Sequence, residues 1–304
     1  MTSPTPVDDL VTVRDWLRYA VSRFNEAALV YGHGTDTALD EAAFIILATL
    51  HLDIDDVDPW LDARLTSAER RAVFHAIDQR VVTRKPASYI TGVAYIAGNK
   101  FHVDERVIVP RSFIGELLTR DEQILTAAEP WRIHRILDLC TGSGCLAILA
   151  ALTFPNATVD AADLSADALE VAKINVADYG LEDRIRLVKS DLFKSLEGER
   201  YDIIICNPPY VTSDAVAAFP PEYRAEPQLA HLGGDDGLDL IRRVLKDARG
   251  HLAPGGNLIV EVGQANEALD AEFPDLPFLW LDTEGSEGEV FALPVTGLPK
   301  QKGR

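Results

Sequence analysis

An asparagine followed by two prolines and a tyrosine, Asn207 to Tyr210, is the stretch best suited to chemistry. It directly follows an apolar run, 201–206, that predicts a buried parallel strand. Prolines lack a backbone N–H, so this turn offers carbonyl acceptors with few competing donors, and the asparagine adds a side-chain carbonyl. Such acceptors suit a target that brings hydrogen-bond donors, for example a planar NH2 group. Because open α/β sheets bind ligands beyond the carboxyl ends of their strands, the turn is predicted to lie in a ligand site.

A glycine-bearing turn, Cys140 to Gly144, lies between a predicted strand, 135–139, and a predicted helix, 145–154. Glycines let a ligand approach the backbone closely, and a helix N-terminus offers free N–H groups to a carboxylate or phosphate. A second predicted strand, 158–163, ends in Asp163, which could accept both hydroxyl groups of a ribose. These features together predict a site for a ligand that contains a nucleoside.

Two kinds of ligand fit this pattern. Gly142 to Ala147 matches the G-x-G-x-x-A spacing, and Asp163 follows at about 20 residues, so a nicotinamide-dependent oxidoreductase is one interpretation. Asp138, just before the turn, could instead bind the ammonium of an amino-acid-like cofactor, and Asn207 to Tyr210 has no role in hydride transfer. These two features favour S-adenosyl-L-methionine, which carries an ammonium, a carboxylate, a ribose and an adenine.

The turn after Asp138 and the Asn-Pro-Pro-Tyr motif together resemble the class I methyltransferases that modify an amide or an exocyclic amine. Further motifs are similar to those of the protein-glutamine amide methyltransferases: Val109-Pro110-Arg111, Ser190-Asp191-Leu192-Phe193, Glu226-Pro227 and Gly237-Leu238-Asp239. The resemblance extends from about residue 10 to residue 294 and therefore covers nearly the whole chain.

That family has a release-factor branch and a ribosomal-protein branch. The segment after Pro110 resembles the ribosomal branch, because the release-factor branch usually has its glutamate one position earlier than Glu116. The runs Tyr31 to Asp36 and Asp275 to Phe278 also resemble the ribosomal branch. The resemblance implies methyl transfer to a glutamine side chain of a large-subunit ribosomal protein, the third by standard count. A release factor is the alternative substrate; a nucleic-acid amino-methyltransferase and a non-catalytic ribosome-assembly module are weaker interpretations.

The resemblance also implies roles for individual residues. Asn207 and Pro208 would hold the target nitrogen, and Tyr210 would pack against the target group. Arg111 and Pro209 would complete the substrate site. The expected cofactor site is the set Asp138, Cys140, Thr141, Gly142, Ser143, Gly144, Asp163, Asp191, Leu192 and Asn207. Within that set, Asp191 would accept the adenine amine and Leu192 would flank the ring.

Composition restricts the partners. A net charge of −19 argues against a free-standing duplex DNA binder, since phosphate neutralisation dominates such binding, and it suits a basic protein partner, free or in the ribosome. The cysteines show no disulfide framework and no metal spacing, so no metal is expected, and Cys140 and Cys206 should lie close together as thiols.

The N-terminus lacks a signal-like apolar core, and no apolar stretch reaches the ~20 residues of a membrane span. A cytoplasmic protein is expected.

The elements that must position these residues fall into two parts. Apolar residues at helical spacing predict helices over 10–30 and 40–50, and a capping box at Thr66 to Glu69 opens a third that runs to about Val82. From Ser112 onward, helices and strands alternate. The predicted fold is a class I, Rossmann-like α/β methyltransferase. It has a seven-stranded, mostly parallel sheet, a small N-terminal helical domain and a linking β-hairpin.

The predicted domains are a substrate-recognising helical domain over 1–85, a hairpin linker over 86–111 that turns at Gly98-Asn99-Lys100, and a methyltransferase domain over 112–304. The further predicted strands are 185–189, 201–206, 257–262, 279–281 and 290–292. The sequence assigns no role to Glu226, Glu261 or Asp160.

Overall fold

A computed structural model describes residues 6–120 and 129–300, and the contacts divide the chain into two compact units. The helical unit takes in Met1–Ala94, Val103–Glu105 and Phe219–Ala225. The sheet unit takes in Tyr95–His102, Arg106–Ala218 and Glu226–Arg304. The chain therefore returns to the helical unit for a short segment late in the sequence.

The helical unit is built on four helices that the described residues form: α1 (Val13–Glu26), α2 (Ala38–Thr49), α3 (Ser67–Thr83) and α4 (Ala87–Thr91). Thr66 caps α3 through the predicted capping box, because its hydroxyl accepts from the Glu69 N–H and the Glu69 carboxylate accepts from the Thr66 N–H. The apolar faces of these helices meet in one core, which includes Trp16, Phe24, Ile45, Ile77 and Val73.

A buried ion pair joins α2 to α3. The Arg80 Nε lies 2.7 Å from the Glu41 Oε1, and the two side chains are 0% and 1% exposed. Arg80 also donates to the carbonyl of Val30 at 3.0 Å, so it fixes the chain after α1 as well. Burial raises the pKa of Glu41, and the positive charge of Arg80 opposes that rise.

The late segment Phe219–Ala225 is held in the helical unit by Glu222, whose side chain is fully buried. One carboxylate oxygen of Glu222 accepts the Val30 N–H at 3.1 Å and pairs with the Arg84 guanidinium at 2.7 Å. A backbone donor and a charge-assisted partner therefore anchor this segment.

The run Tyr31 to Asp36, which resembles the ribosomal branch, packs against the same segment. The rings of His33 and Tyr223 lie 4.2 Å apart between centroids. A Cβ at Gly32, where φ is +124°, would lie 2.5 Å from the Tyr223 hydroxyl. Glycine at this position is therefore required both by the backbone conformation and by the approach of Tyr223.

Strands β1 (Val93–Ile96) and β2 (Asn99–His102) form the predicted hairpin. The expected turn at Gly98-Asn99-Lys100 was wrong by one to two residues, because Asn99 and Lys100 belong to β2. The turn is Ala97-Gly98, and both residues have positive φ, +49° and +74°. A two-residue turn of this kind matches the twist of the flanking strands.

The sheet unit contains the predicted seven-stranded sheet, in the order β5-β4-β3-β6-β7-β9-β8. Its strands are β3 (Arg135–Leu139), β4 (Thr158–Asp163), β5 (Ile185–Lys189), β6 (Tyr201–Cys206), β7 (Leu252–Glu261), β8 (Leu279–Leu281) and β9 (Val290–Pro294). Strands β3 to β7 pair in parallel, and β9 is antiparallel to both of its neighbours. The strand predicted over 257–262 is observed over Leu252–Glu261. The prediction missed its first residues because Pro254-Gly255-Gly256 resembles a loop in sequence.

Helices cover both faces of this sheet. They are α5 (Phe113–Arg120), α6 (Cys145–Thr153), α7 (Ala166–Asp178), α8 (Ser213–Ala217), α9 (Asp239–Asp247) and α10 (Asn266–Glu272). Alternate strand residues enter different cores: Ile136 and Ile203 join one, whereas Leu137 and Ile204 join the other. In the part of the chain that the structure describes, every helix is too short or too polar to cross a lipid bilayer.

Asp160 has a structural role near the amino ends of the strands. Its carboxylate pairs with Arg186 at 2.7 Å and Arg135 at 3.0 Å, and it accepts the Tyr201 hydroxyl at 2.7 Å. Burial raises the pKa of Asp160, but the Arg186 hydrogen bonds and the other partners outweigh burial and leave the pKa lowered. This network lies at the end of the sheet opposite the predicted site.

Candidate active site

A cavity of about 670 Å³ lies at the carboxyl ends of the parallel strands. Its size falls within the range of small-molecule sites. It is lined by residues at or just beyond the carboxyl ends of β3, β4, β5 and β6, among them Cys140, Gly142, Asp163, Leu192 and Asn207. The two predicted motifs therefore share one cavity.

The glycine turn joins β3 to α6 at this cavity. The Gly142 N–H donates to the Asp163 Oδ2 at 2.9 Å, so the turn is fixed to the end of β4. Gly144 is the N-cap of α6 with a φ of +79°, and a Cβ there would lie 3.1 Å from the Cβ of Ala172. The N-cap Gly144 has no side chain to cap α6, and in the first turn the Ala147 N–H faces the Asp138 carboxylate. The other N–H groups of this turn suit an anionic or carbonyl acceptor.

Asp138 lies behind the turn, fully buried, and is not among the residues that line the cavity. Its Oδ2 accepts the Thr141 hydroxyl at 2.5 Å. Burial raises the pKa of Asp138 to about 7, the Thr141 hydroxyl and the Ala147 N–H oppose that rise, and the charge of Asp163 adds to it. No hydrogen bond of ordinary geometry from a described residue reaches its Oδ1. Asp138 thus holds the turn, and its direct contact with an ammonium stays a prediction.

Asp163 lines the cavity and also organises the backbone around it. Its Oδ1 accepts the Ser165 N–H at 2.8 Å, in addition to the Gly142 bond on Oδ2. Burial raises its pKa, and these backbone N–H groups oppose the rise. A carboxylate has about four lone-pair sites, so Asp163 keeps capacity for ligand hydroxyl groups. Ser165, rather than Asp163, caps α7, as its hydroxyl accepts from the Ala168 N–H.

Asp191 and Leu192 follow β5 and line the same cavity. The Asp191 carboxylate accepts from Lys194 at 2.6 Å and from Arg243 at 2.5 Å, and these bonds lower its pKa. Leu192 is 7% exposed and has a φ of +52°. Arg243, on α9, also lines the cavity. Sequence reasoning missed Arg243, because α9 lies about 50 residues further along the chain and no local motif points to it.

The two predicted neighbouring thiols lie where β3 and β6 pair. Leu139 and Cys206 are register partners, and Cys140 is the next residue. Both cysteines are free, and Cys140 lines the cavity. Burial raises the pKa of the Cys206 thiol, and the neighbouring Cys140 raises it further. Cys206 therefore lies in the wall behind the cavity as a protonated thiol.

One hydrogen bond orients the Asn207 amide. Its Nδ2 donates to the Arg111 carbonyl at 3.3 Å. Its Oδ1 accepts no hydrogen bond from residues 6–120 or 129–300, and Asn207 lines the cavity. The side chain therefore presents an acceptor whose partner would come from a ligand.

Tyr210 forms a packed support for this turn and does not itself line the cavity. Its hydroxyl donates to the Glu261 Oε1 at 3.0 Å. A Cβ at Gly263 would lie 2.7 Å from the Tyr210 ring, one at Gly237 would lie 2.4 Å from its carbonyl oxygen, and one at Gly233 would lie 2.7 Å from its Cα. The glycine of the Gly237-Leu238-Asp239 motif is thus explained by close approach to Tyr210.

Arg111 is held by Glu226, which is 5% exposed. The guanidinium donates to both carboxylate oxygens, at 2.7 and 2.8 Å. The same carboxylate accepts the Val109 N–H at 2.8 Å and lies 3.0 Å from the His231 Nε2. Glu226 thereby joins the segment before α5 to the segment after Pro227. Contact between Arg111 and a substrate stays a prediction.

The chain is similar to one family model and to three named relatives. The family model "Methyltransferase small domain" matches residues 122–219. The ribosomal protein uL3 glutamine methyltransferase of Bradyrhizobium diazoefficiens is 54% identical over 295 residues, which are 95% of this chain and 92% of that one. Those of Bordetella pertussis and Burkholderia pseudomallei are 53% and 51% identical. They cover 94% and 99% of this chain, and 95% and 99% of their own lengths.

We expect Gly237→Ala to destabilise the protein more than Gly198→Ala. Both glycines have a φ near +80°, where an alanine costs about 1–2 kcal/mol. A methyl group at Gly237 would also clash with the Tyr210 carbonyl, which adds about 1–3 kcal/mol, whereas the space at Gly198 is open. Urea denaturation of both variants measures the difference. Equal losses in the free energy of unfolding would contradict the close packing around Tyr210.

Proposed function

The chain belongs to the ribosomal protein uL3 glutamine methyltransferase family, and from that premise we propose how its described residues serve the reaction. The chain transfers a methyl group to the side-chain amide nitrogen of a glutamine in uL3. The observation that carries this proposal is the Asn207 Oδ1, an acceptor to which no residue of 6–120 or 129–300 donates; Asn207 lines the cavity next to two prolines. A glutamine amide brings the N–H donors that such an acceptor needs.

S-adenosyl-L-methionine is the proposed methyl donor, and the donors and acceptors around the cavity fit it. The first N–H groups of α6 suit its carboxylate, and Asp163 suits its ribose. Leu192 and Asp191 would lie beside the adenine. The turn from Cys140 to Gly144 would bring the backbone close to the amino-acid part. When bound, this cofactor supplies a methyl group that its sulfonium activates.

Asn207 and Pro208 would orient the amide. An amide nitrogen is a poor nucleophile, because its lone pair is delocalised into the carbonyl. The Asn207 Oδ1 and the Pro208 carbonyl would each accept one N–H, which favours the partly pyramidal nitrogen of the transition state. Orientation of this kind is worth up to about 7–11 kcal/mol in well-aligned systems. The Arg111 carbonyl contributes by holding the Nδ2 and so directing the Oδ1.

No strong base is required before the attack. The nitrogen lone pair would form the new N–C bond as the bond from the methyl carbon to the sulfonium sulfur breaks, with its electron pair left on a neutral thioether. The N–H proton would be lost afterwards, since the alkylated amide is a strong acid until it loses that proton. An asparagine suits this task better than an aspartate, because a carboxylate would tend to pair with the positive sulfonium. Tyr210 would support the turn that carries both acceptors.

The helical unit is the proposed substrate-recognition part. Its Tyr31 to Asp36 run resembles the ribosomal branch and packs against Tyr223 within that unit. The net charge of −19 supports a basic protein partner, and complementary charge speeds encounter at low salt. Because ribosomal proteins are made in the cytoplasm, we propose that location for the enzyme.

We expect Asn207→Ala to reduce methyl transfer by about 100-fold or more, because the amide would lose its oriented acceptor. Affinity for S-adenosyl-L-methionine should stay nearly unchanged. Methyl incorporation into uL3 and isothermal calorimetry measure the two quantities. The matched control is Asn156→Ala, which removes an exposed amide that donates to the Trp131 carbonyl. Equal turnover by Asn207→Ala and the control would contradict the role of Asn207.

We expect Asp163→Asn to weaken S-adenosyl-L-methionine binding. Loss of a hydrogen bond to a charged group costs about 1.5–3 kcal/mol, which is about a 10- to 100-fold rise in Kd. Calorimetry measures this value. Asp167→Asn is the matched control, since it makes the same charge change at an exposed position of α7. An unchanged Kd for Asp163→Asn would exclude Asp163 as the ribose ligand.

A further inference from the structure

We infer that Glu261 is a positioning residue for Asn207, which it controls by joining the Asn-Pro-Pro-Tyr turn to the segment Arg111 to Phe113. This inference rests on the proposed function and names the residue that fixes its acceptor. Glu261 is the last residue of β7 and is 1% exposed. It does not line the cavity, so it acts through the residues that it binds.

Three donors converge on the Glu261 carboxylate. Its Oε1 accepts the Tyr210 hydroxyl at 3.0 Å. Its Oε2 accepts the Ser112 hydroxyl at 2.6 Å and the Phe113 N–H at 3.0 Å. Two of these donors lie directly after Arg111 in the chain, and the third ends the Asn-Pro-Pro-Tyr motif.

These contacts close a ring. Asn207 leads through two prolines to Tyr210, Tyr210 bonds to Glu261, Glu261 bonds to Ser112, and Arg111 beside Ser112 accepts the Asn207 Nδ2–H. Each step is either covalent or a hydrogen bond. The position of the Arg111 carbonyl, and with it the direction of the Asn207 Oδ1, therefore depends on the Glu261 carboxylate.

An ionised carboxylate accepts all three bonds at its two oxygens, and each of them is then charge-assisted. A protonated acid or a glutamine amide would instead donate to the Tyr210 or Ser112 hydroxyl, which can also accept, so one bond would reverse and the others would lose their charge assistance and weaken. The same ring should therefore loosen either when Glu261 is protonated or when it is replaced by glutamine. In both cases the Asn207 acceptor loses its fixed direction.

Protonation of Glu261 falls in an accessible pH range. Burial raises the pKa of Glu261 to about 7, and the bonds from Ser112, Tyr210 and Phe113 oppose that rise. The nearby titratable and charged groups are Tyr210 itself, Arg111 and Glu289, which all affect this pair electrostatically. Because a raised pKa means that the proton is bound below about 7, turnover should fall as the pH drops through that value.

The test is the pH profile of kcat for Glu261→Gln beside wild type, with uL3 as substrate. We expect wild type to lose activity on the acid side of about pH 7. Glu261→Gln should have a kcat lower by about 10- to 100-fold and a Kd for S-adenosyl-L-methionine near that of wild type. Its pH profile should lack the acid limb, which is the fall in kcat below about pH 7. The matched control is Glu267→Gln, an exposed position six residues on from the end of β7, which should behave like wild type.

Among the described residues of the sheet unit, burial also raises the pKa of Asp138 to about 7. An acid limb that persists in Glu261→Gln would belong to another group, such as Asp138 or Asp163, and would overturn the inference, as would an unchanged kcat. If wild type fails to methylate uL3 at all, the proposed function fails instead. The two failures are thus distinguishable.

Ser112→Ala provides a second variant in case Glu261→Gln does not fold. It removes one donor that lowers the pKa of Glu261, so the acid limb should move to higher pH while activity above the limb is partly retained. Tyr210→Phe removes another donor, and its effect on kcat should not add to that of Glu261→Gln, because both break the same ring. An acid limb that does not move in Ser112→Ala, or fully additive losses, would contradict the inference.

Discussion

The parallel pairing of β3 with β6 is the constraint on which the site depends. The sheet order reverses between these two strands, since β4 and β5 lie on one side and β7 on the other. Loops leave this switch point in opposite directions and open a crevice at the carboxyl ends. Leu139 and Cys206 are register partners, so the glycine turn and the Asn-Pro-Pro-Tyr turn begin side by side. The methyl donor and the target glutamine amide can meet only because these two turns share one edge.

Buried glutamates hold backbone N–H groups that lack a helix or strand partner, within each of the two units. Glu222 accepts the Val30 N–H, Glu226 accepts the Val109 N–H, and Glu261 accepts the Phe113 N–H. A segment outside helices and strands has no ladder partner for its N–H groups, so a side chain must satisfy them. Buried charges are weak evidence for stability, but they fix geometry. In the sheet unit, Glu226 and Glu261 together set the position of residues 109–113, and that segment orients Asn207.

Local patterns were enough to predict the sheet and the cofactor side of the cavity. Strands 135–139, 158–163, 185–189 and 201–206 were predicted with the observed bounds, because each is a short apolar run between clear turn residues. The ends of the predicted strands were enough to place the glycine turn and Asp163 at the cofactor side of the cavity. The roles of Glu226 and Glu261 could not be predicted, since their partners lie 115 and 149 residues away in the chain. Only the fold shows that these distant residues touch.

The central claim is that this chain methylates a glutamine of uL3 rather than of a release factor. The most direct measurement incubates the enzyme and labelled S-adenosyl-L-methionine with purified, unmethylated uL3 and, in parallel, with a purified, unmethylated release factor at equal concentration. Tandem mass spectrometry then locates the added methyl group. We predict a methyl group on a glutamine side chain of uL3 and a much slower reaction with the release factor. A release-factor rate equal to or above that of uL3, or a methyl group on another residue type, would contradict the account.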